Sequence, residues 1–172
     1  GLLALAAAWG AYLVGPVRLD VHSQGWLWGD LAQVQSAWMQ FMADSEASWL
    51  SSARGSYPIP ISVSLFDPMP ILLLLAKPFA ALVPEGSQYF GLYFLLCYLL
   101  QAAFGYLTVG EILRWCCAAD GLAADACKLI GGLLFACLPF TLLRMHGHTA
   151  LSSQWLLVLS IWVALRSRDL PE

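Results

Sequence analysis

The chain has 172 residues, of which 60% are hydrophobic and only 11% charged, and its mean hydropathy is +0.71. A soluble domain carries about 25% charged residues, so this composition excludes a soluble globular protein and predicts an integral membrane protein in contact with a lipid bilayer. The formal net charge of −3 is small and acidic, which argues against a nucleic-acid partner.

Crossing the hydrocarbon core takes about twenty apolar residues. Residues 2–17 are apolar except for glycine and a closing proline, which predicts a truncated first span. The chain starts at Gly1 inside this apolar run, and it reads as the N-terminal piece of a longer protein. It has no charged leader region, and no small-residue cleavage site lies near Gly15-Pro16.

A polar stretch over 18–68 follows. Within it Leu31, Val34, Trp38, Phe41 and Met42 recur at helical spacing, with Asp30, Gln33, Gln40 and Asp44 on the other face. This predicts an amphipathic helix lying flat at the membrane surface. Trp26, Trp28, Trp38 and Trp49 suit that depth, because indole rings favour the headgroup region. Ser51 to Ser56 reads as a turn, and Tyr57-Pro58-Ile59-Pro60 as extended chain, since a residue before proline is pushed out of the helical region. Ile61, Val63 and Leu65 alternate with Ser62, Ser64 and Phe66, predicting a short extended segment.

Membrane-like sequence returns at Asp67-Pro68-Met69-Pro70. Residues 71–83 are apolar but short, and Lys77-Pro78 interrupts them. Residues 89–113 form a full span with Glu111 near its end. Residues 129–143 cross with Lys128 and Arg144 snorkelling at the two ends, and 149–165 cross and stop at Arg166 and Arg168. The five cysteines avoid the polar stretch. Their odd number argues against a disulfide framework, and the spacing of Cys116-Cys117 and Cys127 is wrong for zinc.

Sidedness follows from the basic residues. If 71–83 crosses, Arg18, Arg54, Arg114, Lys128, Arg166 and Arg168 share one side, Arg144 is alone on the other, and the 18–68 loop is cytoplasmic. In the reading we prefer, 71–83 dips in and returns, and Arg114, Lys128, Arg166 and Arg168 lie on the cytoplasmic side of short connections. The 18–68 loop and the Arg144–His148 loop (144–148) then both lie outside. Glu111, Asp120 and Asp125 fall on the inner side and read as solvated.

Asp30 reads either as a surface carboxylate able to act as general base or hold a cation, or as the N-cap of the amphipathic helix in a capping box with Gln33. Asp67, where the chain re-enters the membrane, reads either as functional or as an Asp-Pro turn. Lys77 pairs with Asp67 or an anionic ligand, or snorkels to the surface. Arg144 suits a phosphate, and His146 and His148 suit metal ligation or a proton relay. Gln154 faces a cavity or another helix.

The start with one span, a long loop bearing Gly29-Asp30, an amphipathic juxtamembrane helix and the Asp67-Pro68-Met69-Pro70 re-entry is similar to the GT-C superfamily of membrane glycosyltransferases. Phe66-Asp67-Pro68-Met69-Pro70, Lys77-Pro78-Phe79, Gln88-Tyr89-Phe90-Gly91-Leu92, Leu96-Cys97 and His148-Thr149-Ala150-Leu151 with Gln154-Trp155 resemble an uncharacterised bacterial family known as domain of unknown function 6311. The resemblance covers nearly the whole chain. It implies an all-α, polytopic helical bundle, a single membrane domain over 1–172, in the bacterial inner membrane with 18–68 extracytoplasmic. It also implies a polyprenyl-phosphate-linked sugar as donor and an extracytoplasmic acceptor. Asp30 and Asp67 would be catalytic. Lys77, Arg144, His146, His148 and Gln154 would bind substrate. A divalent cation, Mg or Mn, would sit on Asp30 and His148. The alternative from the residues is a non-enzymatic transporter or flippase for a lipid-linked glycan, with Lys77 on an anion pathway.

Overall fold

A computed structural model describes the chain except residues 47–50, 55–58, 60, 63–64, 66–68, 117–120, 145–146 and 169–172. Helices dominate it: α1 (Leu2–Val14), α2 (Pro16–Leu19), α3 (Asp30–Ala43), α4 (Pro70–Ala76) continued by a 3-10 segment Lys77–Leu82, α5 (Phe90–Cys116), α6 (Leu122–Ala136), α7 (Pro139–Arg144) and α8 (Trp155–Ser167). Strands β1 (Ser51–Ser52) and β2 (Ile61–Ser62) pair antiparallel, Ser51 opposite Ser62 and Ser52 opposite Ile61. The turn expected from Ser51 therefore starts later. Two compact units make up the chain: one of Gly1–Pro16, Leu92–Leu143 and Ser152–Glu172, the other of Val17–Gly91 and Arg144–Leu151.

The first unit is built around α5. Tyr93, Phe94, Cys97, Tyr98, Gln101, Ala102 and Thr108 are all buried, and their spacing of three to four residues puts them on one helical face. Helix α1 packs there through Gly10, where a Cβ would stand 3.0 Å from Leu95 Cδ1 and 3.2 Å from Tyr98 Cβ. Helix α6 approaches through Gly132, where a Cβ would come within 2.8 Å of the Ala102 carbonyl. Small residues at a helix interface permit such close backbone approach. Helix α8 stacks Trp155 on Phe104 and sets Trp162 tilted against it, with ring centroids 6.0 and 6.4 Å away. Tyr93 Oη and Ser153 Oγ lie 2.5 Å apart at its start.

Among the described residues, three helices are long and apolar enough to cross a membrane: Phe90–Cys116, Leu122–Thr141 and Ala150–Ser167. Their outward faces stay apolar, with Leu134 64% and Leu157 67% exposed, as fits a membrane protein. Expected spans and observed helices differ at their ends. The middle crossing begins at Leu122 rather than 129, so Lys128 lies within α6, bonded to Asp125 at 2.9 Å. The first helix stops at Val14 because Gly15 turns to φ 80 and Pro16 follows. The 71–83 segment is a twelve-residue apolar helix, Ile71–Leu82, about 21 Å long, since its second half is 3-10 helix with the longer rise of ~2.0 Å per residue.

Glu111 corrects the reading of a solvated carboxylate. Its side chain is 12% exposed and pairs with Arg114 one turn on and with Arg166 of α8 at 3.5 Å. Arg168 lies over the Trp115 ring at 5.1 Å. The basic ends of α5 and α8 thus meet at one end of this unit. Glu111→Gln leaves both guanidinium groups without their carboxylate. Because each arginine is about half in water, we expect a loss of about 1–2 kcal/mol, read as a lower Tm of the purified protein. An unchanged Tm at low salt contradicts this.

The second unit holds the amphipathic helix. Leu31, Val34, Ala37, Trp38 and Phe41 are buried on α3 as its spacing predicts. Trp38, Phe41 and Leu73 of α4 form a core cluster, flanked by Met42, Ala76, Val83 and Tyr89. Asp44 departs from the expected polar face: it is buried.

Candidate functional site

Helix α3 starts after Gly29, whose φ of 58° suits glycine. The Gly29 carbonyl accepts the amides of Ala32 at 3.2 Å and Gln33 at 3.4 Å. Asp30 is the first helical residue and no side chain caps the helix, which corrects the capping-box reading. The local cause is the left-handed turn at 29, which places the non-helical residue one position earlier than an Asp cap needs. The Asp30 carboxylate therefore sits beside the helix N-terminus without bonding it, where the aligned peptide dipoles favour negative charge.

What the carboxylate meets is His148. Its Oδ2 lies 3.6 Å from His148 Nδ1, with the Asp30 side chain 62% and the His148 side chain 46% exposed. The end of α7 delivers the histidine. The amides of Gly147 and His148 bond back to the Arg144 carbonyl at 3.3 and 3.1 Å, a single helical turn that carries Arg144 and His148 together. Two of the residues singled out in sequence are thus neighbours, and a third lies one turn away. Asp67 and His146 fall outside the described residues. Gln154 is the residue preceding α8, in the helical unit.

Lys77 lies at the opposite end of α3. That helix has 14 residues, so its ends stand about 20 Å apart. The Lys77 ammonium donates to the carbonyls of Phe41, Met42 (3.5 Å) and Asp44 (2.6 Å), and it stands 4.8 Å from the Phe41 ring centroid. Asp44 beside it accepts the Ser52 hydroxyl at 2.6 Å and the Glu46 amide at 3.0 Å. The Ser52 hydrogen bond holds the Asp44 carboxyl below the usual carboxylate range, against burial, with the Glu46 amide and the Arg54 charge acting in the same direction. A depressed folded-state value means that this contribution is present above the unfolded value and lost as pH falls through the folded one. Hydrogen exchange in the last turn of α3, corrected for intrinsic rate, should therefore speed up in acid. In Asp44→Asn it should be fast at neutral pH and change little further.

Sequence reasoning missed Asp44, Ser52 and Gln88. Gln88 donates to the Arg18 and Asp20 carbonyls at 2.7 and 2.8 Å, accepts the Gly91 amide at 3.3 Å, and bonds Val21 O through its own amide at 2.7 Å. A lone glutamine beside an aromatic pair carries no signal of such a knot. A groove of about 320 Å³ runs between α3 and the 80–87 segment, lined by Trp38, Met39, Met42, Val83 and Glu85. Among the described residues, no three His, Cys, Asp or Glu side chains converge as metal ligands. Asp30 and His148 offer two donors, short of the set a divalent cation needs from protein alone.

The class these observations define is an all-helical chain with three helices suited to crossing a membrane, joined to a polar unit bearing an exposed carboxylate–imidazole pair. The chain belongs to the family described as "Domain of unknown function (DUF6311)", whose model matches residues 3–171. No curated protein and no solved structure matches it.

Proposed function

We propose that this protein is a multi-pass inner-membrane glycosyltransferase of GT-C type. It transfers a sugar from a polyprenyl-phosphate donor to an extracytoplasmic acceptor, with the 18–68 loop outside. The observation that carries this reading is the accessible Asp30–His148 pair. Asp30 accepts a hydrogen bond from Nδ1–H of His148, which holds the proton there and leaves the Nε2 lone pair as the base. An acceptor hydroxyl attacks the anomeric carbon and gives its proton to His148 Nε2. The bond from that carbon to the phosphate oxygen breaks, and polyprenyl phosphate leaves with the electron pair. Asp30 stabilises the imidazolium so formed, the role a carboxylate plays toward histidine in hydrolase triads. The 3.6 Å separation exceeds a direct hydrogen bond, and such bonds commonly tighten when substrate binds. Arg144, one turn before His148, suits the leaving phosphate. No step runs through a cation.

Purified full-length protein in proteoliposomes tests this, with synthetic polyprenyl-phosphate-linked hexoses and pentoses as donors. Release of polyprenyl phosphate together with a glycosylated product supports transfer. Movement of the lipid-linked sugar across the bilayer without release would favour the transporter instead. Two features favour transport, a lysine charge at membrane depth and a re-entrant segment; of these, the Lys77 charge is bonded to helix carbonyls. For sidedness, cysteines placed at Ala53 and Ser167, both exposed, should label from opposite faces. Labelling of both from one face rejects the proposed topology.

A further inference from the structure

We infer that Lys77 is a positioning residue: it latches the C-terminal end of α3 to the re-entry segment and so sets where Asp30 stands. The last carbonyls of a helix have no partner within it, and the helix dipole makes that end negative. Cations of the last turn commonly answer both, but α3 has no basic residue there. The cation comes instead from a residue 36 positions away from Phe41. An ammonium has three N–H donors, and three α3-end carbonyls receive them.

The latch is the end of a longer rail. Further ties join α3 or its lead-in to residues 86–90. Gln24 Nε2 donates to the Gly86 carbonyl and Gln35 Nε2 to the Ser87 carbonyl at 2.8 Å. Trp38 packs on Tyr89 with centroids 4.6 Å apart, and Trp26 sets its edge to Phe90 at 6.2 Å. The upper ties fix the rotation of α3. Lys77 fixes its far end, and a rigid helix transmits an error at one end to the other. The kinetic part of this inference rests on the reading of Asp30 and His148 as the reacting pair, whereas the latch itself stands on geometry alone.

Two measurements on the full-length protein separate those parts. Hydrogen exchange of the last-turn amides of α3 should speed up at least about tenfold in Lys77→Met, since hydrogen bonds to charged groups are the strong ones, and stay near wild type in Lys77→Arg. Equal exchange in Lys77→Met and wild type overturns the latch, whatever the activity. Where Lys77→Met does not fold, Lys77→Gln, which keeps two N–H donors and drops the charge, takes its place. In the donor-cleavage assay, Lys77→Met should lower kcat about 10–100-fold with KM for the donor unchanged, as a misplacement of about 1 Å does, and Lys77→Arg should restore most of it. A raised KM with unchanged kcat overturns positioning and makes Lys77 a substrate contact. Faster exchange in Lys77→Met alongside full activity of Asp30→Asn keeps the latch and rejects the reacting pair.

Discussion

Asp30→Asn should lower the rate of sugar transfer by about 10²–10⁴-fold, the range that a positioned acid–base group contributes, while the protein accumulates and folds as wild type. The expectation comes from which atom does what. Asparagine is nearly the size of aspartate, and Asp30 makes no capping bond to α3, so the helix start keeps its shape. What changes is the partner offered to His148 Nδ1 at 3.6 Å. An amide no longer stabilises the imidazolium, and it can hold the ring in the other tautomer, with the proton on Nε2 where a lone pair is required. His148→Ala should cost as much. The double variant should be no slower than the slower single one, because residues acting as a unit are not additive. The competing explanation gives a different number. A carboxylate that only complements the helix dipole contributes about 0.3–1 kcal/mol of stability and nothing to turnover. Wild-type turnover in Asp30→Asn therefore removes the proposed chemistry, and a small fall in Tm alone identifies the dipole role.

Much of the polar unit could be read from spacing. Leu31, Val34, Trp38 and Phe41 sit where a 3.6-residue period puts them, and all are buried. The long apolar helices are equally plain, because a long apolar run needs no partner to be recognised. The failures share a physical cause. Glu111 was read as solvated because one of its partners, Arg166, is on another helix, and nothing local announces that pairing. The sequence leaves Lys77 open between Asp67, an anionic ligand and snorkelling, because its acceptors are backbone carbonyls, which every residue has and no sequence displays. The capping box at Asp30 failed by one residue, because a glycine in the left-handed region can serve at the N-cap and shift the frame. Asp30 and His148 were each singled out, but their neighbourhood depends on how the end of α7 folds back. Residue chemistry was legible, and the distances between chemistries were not.

A second large effect falls at Gly91, beside the Tyr89-Phe90 pair. Gly91→Ala should destabilise the protein by about 2–4 kcal/mol. Propensity alone argues the reverse, since alanine inside a helix is favoured over glycine by about 1 kcal/mol, and Gly91 is the second residue of α5. Here space decides. A Cβ at 91 would overlap the Arg18 carbonyl oxygen, lie 2.5 Å from its carbon and 2.9 Å from the Leu19 nitrogen. These are backbone atoms and cannot swing aside as a side-chain tip does, so the cost reaches the upper end of the overpacking range, about 3 kcal/mol. Relief requires moving the 18–21 segment away from α5, and that segment is held by Gln88 through the Arg18 and Asp20 carbonyls. Each such bond is worth about 1 kcal/mol when lost. Gly110 supplies the control on the same helix. The nearest atom to its added Cβ would be Lys128 Cδ at 3.7 Å, an ordinary contact with a flexible side chain, so Gly110→Ala should follow propensity and stabilise by up to about 1 kcal/mol. Thermal unfolding of the two purified variants should move Tm in opposite directions. A Gly91→Ala protein as stable as Gly110→Ala would show that the start of α5 does not lie against the Arg18 carbonyl.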